Sequence, residues 1–327
     1  MIKKIIIPLL CICYFITACG GQKKQAGLKE VEITIDWAPV AEYYGIYYAK
    51  KSGIFKKYGY DVTIRIQNGA PVVANLVGTG TIPVGTTTSD DILRSYSKKH
   101  RYSAVRRLFN YNPSSIISLK ENNINSIDDL RGKTLGVNPS GNPYLQLKNL
   151  IENSRDVKID MDDFNENPSI GWGGAELLLN HTVDAILAYT TNQALDVSLQ
   201  DSTMNEVFLG DYGAYSYGLV LAFADETSLK KFALTKEDVG NIYDAIIEGY
   251  EKGYADIDKS IQFLKEEEPT LKDEKVRMGI TKIGSLNNNI LYPHSKIDEW
   301  LIDENITQDI RTEVLKLYNT VVWSGTE

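Results

Sequence analysis

One segment, residues 36–60, constrains the fold of this chain more than any other part of it. Apolar residues alternate up to Asp36, as in a strand, and a helical pattern begins near Tyr44 and stops at Gly53, a residue type that commonly ends helices. A strand that leads through a short turn into an amphipathic helix is the repeating unit of α/β proteins. The segment therefore predicts an α/β fold.

The turn inside this segment carries side chains that suit a ligand. A flat, partly polar molecule is held by rings that stack on it and by hydroxyl and carboxylate groups that orient it. We predict that four residues of the turn contact such a ligand: Trp37, Glu42, Tyr43 and Tyr44. Tyr47 and Tyr48, further along the helix, are predicted to pack in the core.

The remaining sequence predicts two α/β lobes. Short apolar strands alternate with amphipathic stretches, and 327 residues suffice for about two domains. A second unit begins near residue 120, and the chain returns to the first after Gly218. We predict a first lobe of residues 28–119 plus 220–327 and a second lobe of residues 120–219. Ligands favour such domain interfaces, so the cleft between the lobes is the expected site.

The N-terminus has the pattern of a targeting segment. Lys3 and Lys4 precede an apolar run, residues 5–16, that is too short to span a bilayer. The following residues Ile-Thr-Ala-Cys-Gly resemble the lipobox of bacterial lipoproteins, in which the cysteine receives a diacylglycerol. We predict residues 1–18 as a lipoprotein signal peptide and Cys19 as the lipidated residue, with palmitate among its acyl chains. The alternatives are an ordinary signal peptide and a weak membrane anchor.

Residues 19–27 are predicted to form a flexible tether, because they are rich in Gly, Gln and Lys. Two acyl chains on Cys19 would hold the protein on a membrane surface far better than one chain could. The predicted location is the bacterial cell envelope, on the periplasmic or extracytoplasmic face of a membrane.

Composition excludes several classes of function. The other two cysteines, Cys11 and Cys13, lie in the predicted signal peptide, so the mature chain keeps no thiol for a disulfide, a metal or a nucleophile. The net charge is −8 and no basic run is dense enough for a nucleic-acid groove. The three histidines are far apart, and no glycine-rich phosphate motif is present. We predict no metal site, no cofactor and no nucleic-acid partner.

Two further helix starts supply candidate ligand contacts. The first is Thr88, Ser89 and Asp90, where the polar groups either cap the helix or point into the cleft. The second is Ser140, Gly141 and Asn142, a loop before a proline that is either a plain turn or a site for an anion or a carbonyl oxygen. We include all six residues in the predicted site.

Several stretches of the chain together resemble a known family. The chain is similar to periplasmic substrate-binding proteins of ABC importers in three stretches. They are residues 36–49, with the pattern Asp-Trp-x-Pro-x-x-Glu-Tyr-Tyr-Gly-x-Tyr-x-Ala, residues 84–91 and residues 127–137. The branch in question binds thiamine pyrimidine precursors. The resemblance implies a type II periplasmic binding protein: two α/β lobes joined by two crossover strands, with a ligand cleft between them. It also implies a monomer that works with an ABC permease and its ATPase.

The resemblance carries over to the site only in part. Trp37, Pro39 and Gly45 match the pattern of the pyrimidine-binding branch, whereas Tyr43 replaces its histidine. In the second lobe, Tyr189 and Gln193 correspond to a tyrosine and a glutamate that hold an aminopyrimidine, so both are predicted ligand contacts. Gln193 replaces the glutamate, and a neutral amide can donate a hydrogen bond that an ionised carboxylate cannot.

The resemblance implies a small nitrogen-containing aromatic nutrient, a thiamine pyrimidine precursor or similar, and no enzymatic activity. The first alternative is that the same scaffold binds riboflavin or a sulfonate- or nitrate-type anion. The second is a thiamine pyrimidine synthase-like enzyme, but such enzymes carry a cysteine cluster that this chain lacks. The third is a surface sensor or adhesin built on the same lobes.

Overall fold

The computed structural model describes residues 27–170, 173–200 and 203–289. The predicted signal peptide and Cys19 lie outside the described residues, as do all but the last residue of the predicted tether and residues 290–327 of the predicted first lobe. No helix in the described ranges is long and apolar enough to cross a membrane.

The first sheet has five strands, four of them running in one direction. In spatial order they are β2 (Tyr60–Ile66), β1 (Lys29–Ile35), β3 (Val84–Thr87), β10 (Val220–Ala224) and β4 (Tyr102–Arg107). β1 is parallel to β2 and β3, and β10 is antiparallel to both of its neighbours.

The second sheet repeats this plan. In spatial order its strands are β7 (Asn165–Asn167), β6 (Thr134–Gly136), β8 (Ala185–Tyr189), β5 (Ser114–Leu119) and β9 (Met204–Phe208). β6 is parallel to β7 and β8, and β5 is antiparallel to β8 and β9. The two-lobe α/β architecture predicted from the sequence is confirmed.

The chain crosses between the sheets twice, from β4 to β5 and from β9 to β10. The two crossing segments pair with each other: the N–H groups of Leu108 and Phe109 donate to the Leu219 carbonyl, and that of Gly218 donates to the Tyr111 carbonyl, at 3.0–3.1 Å. Each crossing ends in the antiparallel strand of the sheet it enters. The lobes are therefore joined by two hydrogen-bonded segments, an arrangement suited to a hinge.

One strand, β5, lies before the predicted lobe boundary at residue 119 but belongs to the second sheet. It pairs only with strands of that sheet. The reason lies in its sequence: Ser114, Ser115 and Ser118 are as buried as its isoleucines, so the strand shows neither an apolar run nor a polar alternation.

Helices cover both sheets, as the α/β pattern predicts. Those of the first half are α1 (Tyr44–Lys51), α2 (Ile54–Lys57), α3 (Ala70–Gly78), α4 (Ser89–Ser97) and α5 (Asn142–Asn153). Those of the second half are α6 (Ala175–Leu179), α7 (Gln193–Ser198), α8 (Glu226–Lys231), α9 (Lys236–Ala255), α10 (Ile257–Glu267) and α11 (Asp273–Asn289).

α1 and α9 pack in direct backbone contact. A Cβ added at Gly249 would lie 2.2 Å from the Gly45 carbonyl oxygen, so only glycine fits at this crossing. The close approach sets Tyr44 of α1 edge-on against Tyr250 of α9, with ring centroids 4.9 Å apart. Tyr47 and Tyr48 are buried, which confirms the prediction that they pack in the core.

α11 connects the two lobes. It packs against the short 3₁₀ turn Ala41–Tyr43 that precedes α1 and against α7 of the second lobe. Lys275 pairs with Asp196 at 2.8 Å, and Lys282 pairs with Glu206 at 2.7 Å, each across to the second lobe. The position of α11 therefore fixes the turn that carries Glu42 relative to the second lobe.

Candidate functional site

A cavity lies between the lobes, where parallel strands of both sheets end. Its lining includes the residues that directly follow β1 and β3, the second residue after β6, and the last residue of β8. Its empty volume is about 1060 Å³, including open solvent at its mouth. The carboxyl ends of parallel strands are the common ligand position in α/β proteins.

Most of the residues predicted for the site line this cavity. They are Trp37, Glu42, Tyr43, Thr88, Ser140, Gly141, Asn142, Tyr189 and Gln193. The first four come from the first lobe and the other five from the second, so the fold brings together groups more than 150 positions apart.

Tyr44 lies outside the cavity lining, so the structure does not bring it together with the other predicted ligand contacts. It begins α1, where its hydroxyl donates to the Tyr250 carbonyl at 3.1 Å and its ring packs on Tyr250. Burial raises its pKa well above the ordinary value. The helix turns Tyr44 toward α9, whereas Tyr43, one residue earlier, faces the cavity.

Ser89 and Asp90 also lie outside the cavity lining. The helix cap is Thr88, whose hydroxyl accepts from the Asp91 N–H at 3.2 Å. Ser89 instead accepts from the Tyr217 N–H at 2.8 Å, which ties α4 to the second crossing segment. The carboxylate of Asp90 accepts from the side-chain amide of Gln146 in the second lobe.

Glu42 is a carboxylate of the lining with one oxygen bonded and the other unpartnered in the part of the chain that the structure describes. Its Oε1 accepts from the Thr191 hydroxyl at 2.8 Å, but its buried Oε2 has no hydrogen-bond partner among the described residues. Burial raises its pKa to about 7, although the Thr191 hydrogen bond, the Glu42 backbone N–H and the charge of Lys275 act in the opposite direction. The Tyr250 hydroxyl donates to the Glu42 carbonyl at 2.6 Å and fixes the turn.

Asp36 is a second carboxylate in the lining. Its Oδ1 accepts from the Tyr43 hydroxyl at 3.0 Å and from the Thr86 hydroxyl. Burial raises its pKa, and these hydrogen bonds oppose that shift. Tyr43 is in turn held with its ring against the cavity, and burial raises the pKa of its hydroxyl.

Tyr189 and Gln193 lie next to each other in the cavity lining. The Gln193 Oε1 accepts from the Tyr189 N–H at 3.0 Å, an arrangement in which the amide NH₂ group is the donor end of the side chain. Burial raises the pKa of the Tyr189 hydroxyl, and the nearby charges of Asp91, Asp36 and Asp90 act in the same direction.

Behind the cavity, side-chain amides of α5 cross to the acidic start of α4. The Asn142 Nδ2 donates to the Thr88 hydroxyl at 2.9 Å and to Asp91 Oδ2 at 3.0 Å. Arg94 donates to both Asp91 and Asn142. Asn142 thus lines the cavity, and its side chain also connects the second lobe to the first through hydrogen bonds.

Gln146, one turn further along α5, reaches the crossing segments. Its Nε2 donates to Asp90 and, at 3.0 Å, to Ser216, while its Oε1 accepts from the Asn112 amide at 3.0 Å. Asn112 and Ser216 belong to the two segments that join the lobes. The polar network therefore couples the hinge region to the first-lobe helix beside the cavity.

Sequence reasoning missed several lining residues. Asp36 and Thr191 were the two that had a usable signal, since one ends a predicted strand and the other lies between Tyr189 and Gln193. Phe109 and Leu187 had none, because apolar residues of this kind occur throughout the core. Among the described residues, no group of three or more His, Cys, Asp or Glu side chains is arranged to hold a metal.

Comparison with known proteins places the chain in a family. It matches the model described as NMT1/THI5 like over residues 40–259, and the chain belongs to this family. The periplasmic aliphatic sulphonate binding protein SsuA from Escherichia coli superposes with a TM-score of 0.63 at 12% identity, over 88% of this chain and 98% of SsuA. The fold is that of a periplasmic binding protein, as the resemblance implied.

Two relatives are more similar in sequence. A formylaminopyrimidine-binding protein of Halalkalibacterium halodurans is 24% identical over 267 residues, 79% of this chain and 77% of the relative. A putative thiamine biosynthesis protein of Haemophilus influenzae is 22% identical over 202 residues, 62% of this chain and 63% of that protein.

Proposed function

We propose that this protein is the substrate-binding protein of an ABC importer and captures a small nitrogen-containing aromatic nutrient between its lobes. The observation that carries the proposal is the buried, unpartnered Oε2 of Glu42 in a cavity lined by Trp37, Tyr43 and Tyr189. A buried acceptor without a partner is costly, and a ligand N–H would satisfy it. The formylaminopyrimidine-binding relative supports the same chemistry.

The charges around the cavity favour a nitrogen-containing aromatic ligand over the alternative of a sulfonate- or nitrate-type anion. The described lining of the cavity contains Asp36 and Glu42 but no Lys, Arg or His. A sulfonate or nitrate offers only acceptor oxygens and a negative charge, so it would leave the Glu42 oxygen unsatisfied and be repelled by it. The thiamine pyrimidine precursors, which carry an amino group on an aromatic ring, suit both the rings and the carboxylate.

Binding without catalysis is part of the proposal. The synthases that the sequence resembles carry a cysteine cluster, and the three cysteines of this chain all lie within residues 11–19. The proposed partners are therefore a permease and an ATPase, with closure of the lobes over the ligand before docking.

The stacking role of Trp37 gives the first prediction. Trp37→Ala should weaken binding of 4-amino-2-methylpyrimidine by about 1–3 kcal/mol, because a ring partner is lost from the cavity. Isothermal titration calorimetry measures the change. Trp37→Phe should retain most of the affinity, and Tyr254→Ala, which removes a partly exposed ring outside the cavity lining, should retain all of it. Unchanged affinity in Trp37→Ala would rule out stacking on this residue.

We also propose that the protein is anchored through lipid on Cys19 at the extracytoplasmic face of a bacterial membrane. Cys19→Ala should release it into the soluble fraction, since the diacylglycerol is attached through that sulfur. Fractionation followed by immunoblotting checks the prediction, with Cys13→Ala as the matched control that should stay on the membrane. A Cys19→Ala protein that still sediments with membranes would contradict lipidation at this residue.

A further inference from the structure

Acidic side chains lie in the cavity lining and next to it. Asp36 and Glu42 line it, and Asp90 and Asp91 begin the helix directly beside Thr88, which also lines it. The charges of Asp36, Asp90 and Asp91 all raise the pKa of the Tyr189 hydroxyl, which lies in the opposite lobe.

The nearby basic groups are already paired, and one of them, Arg94, compensates the charge of Asp91. Arg94 pairs with Asp91 at 2.9 Å, and Lys275 pairs with Asp196 at 2.8 Å. Neither lines the cavity, and the described lining contains no basic side chain. Asp36 and Glu42 therefore have no counter-charge within the described lining of the cavity.

Glu42 is the carboxylate of the described lining that has an oxygen without a hydrogen-bond partner. Its Oε1 is held by Thr191, and its Oε2 is buried without a partner. The charged and titratable groups that face it are Asp36 of the same turn region, Lys275 of α11, and the hydroxyls of Tyr43 and Tyr250. Of these groups only Lys275 is cationic, and burial outweighs its effect, so that the pKa of Glu42 is raised.

We propose that the cavity selects a ligand that is positively charged when bound, an aminopyrimidinium- or amidinium-type nitrogen base whose N–H donates to Oε2 of Glu42. This inference rests on the proposed function and narrows it to a charge class. The cation supplies both the missing hydrogen-bond donor and the missing counter-charge. Glu42 is thereby the residue that determines specificity, and the aromatic rings hold the flat body of the ligand.

A set of matched probes tests the charge requirement. Benzamidine, benzamide and benzoate share one ring and one size but are cationic, neutral and anionic. We expect calorimetry with the full-length protein at pH 8 to show benzamidine bound at least tenfold tighter than benzamide, and no binding of benzoate. Benzamidine stays cationic between pH 6 and 8, so its affinity should rise about tenfold over that range as Glu42 loses its proton.

Variants separate this inference from general effects on the protein. Glu42→Gln should abolish both the preference for benzamidine and its rise with pH, whereas Glu251→Gln, at an exposed position of α9, should change neither. Benzamide bound as tightly as benzamidine, or binding of benzoate, would overturn the inference. If 4-amino-2-methylpyrimidine still binds in that case, the proposed function stands. Failure of all the nitrogen-containing probes would overturn both.

Discussion

Glu42→Gln is expected to make the ligand-free protein more stable and its ligand binding weaker. In the native state the pKa of Glu42 is raised from 4.5 to about 7, so above pH 4.5 the unfolded state loses this proton before the native state does. Stability contributed by this group is therefore full below pH 4.5 and falls as the pH rises toward 7. A shift of this size corresponds to about 3 kcal/mol, which the neutral glutamine would restore at pH 8.

The same substitution should lower affinity for 4-amino-2-methylpyrimidine by about 1.5–3 kcal/mol, the usual value of a hydrogen bond to a charged group. Urea unfolding between pH 4.5 and 8, with calorimetry at pH 8, measures both effects. Glu251→Gln serves as the control and should leave both measurements unchanged. A Glu42→Gln protein that keeps the wild-type pH dependence of unfolding would contradict the environment described for this carboxyl.

Gln146→Leu is expected to destabilise the protein by about 2–4 kcal/mol. The leucine has a similar volume, but Asp90, Ser216 and Asn112 each lose a buried hydrogen bond to the amide. Loss of a partner from a buried charged group has a cost of this size. Because Asn112 and Ser216 lie in the crossing segments, the arrangement of the lobes should loosen as well.

Urea unfolding and small-angle X-ray scattering measure these two effects. Lys148→Ala is the matched control, since Lys148 lies on the same helix with its side chain 49% exposed. That change should stay within about 0.5 kcal/mol of wild type. Equal stability of Gln146→Leu and Lys148→Ala would show that the network does not hold the lobes together.

The strand-turn-helix segment at residues 36–60 predicted both the fold class and one side of the cavity, because local patterns and chain order determine where parallel strands end. Local patterns could not predict which way each aromatic side chain faces. Tyr43 and Tyr44 are adjacent, but the close contact of α1 with α9 directs only Tyr44 away from the ligand space. That contact depends on Gly249, about 200 positions further along the chain.

The interlobe network could not be predicted for the same reason. Gln146 and Asp90 are 56 positions apart, and neither has a sequence pattern that indicates the other. β5 pairs with the second sheet although it precedes the predicted boundary at residue 119, because its buried serines give it no strand pattern in the sequence. Sequence patterns thus predicted a ligand site between the lobes. The absence of basic side chains from its described lining required the three-dimensional arrangement of both lobes.

We propose above all that the cavity binds a nitrogen-containing aromatic molecule. The most direct test is to purify the full-length protein from the bacterium that makes it, release any bound small molecule by denaturation, and identify that molecule by mass spectrometry. We predict one aromatic compound with nitrogen in or on its ring, present in wild type and depleted in Glu42→Gln. A sulfonate, nitrate or other anion released from the wild-type protein would contradict the account.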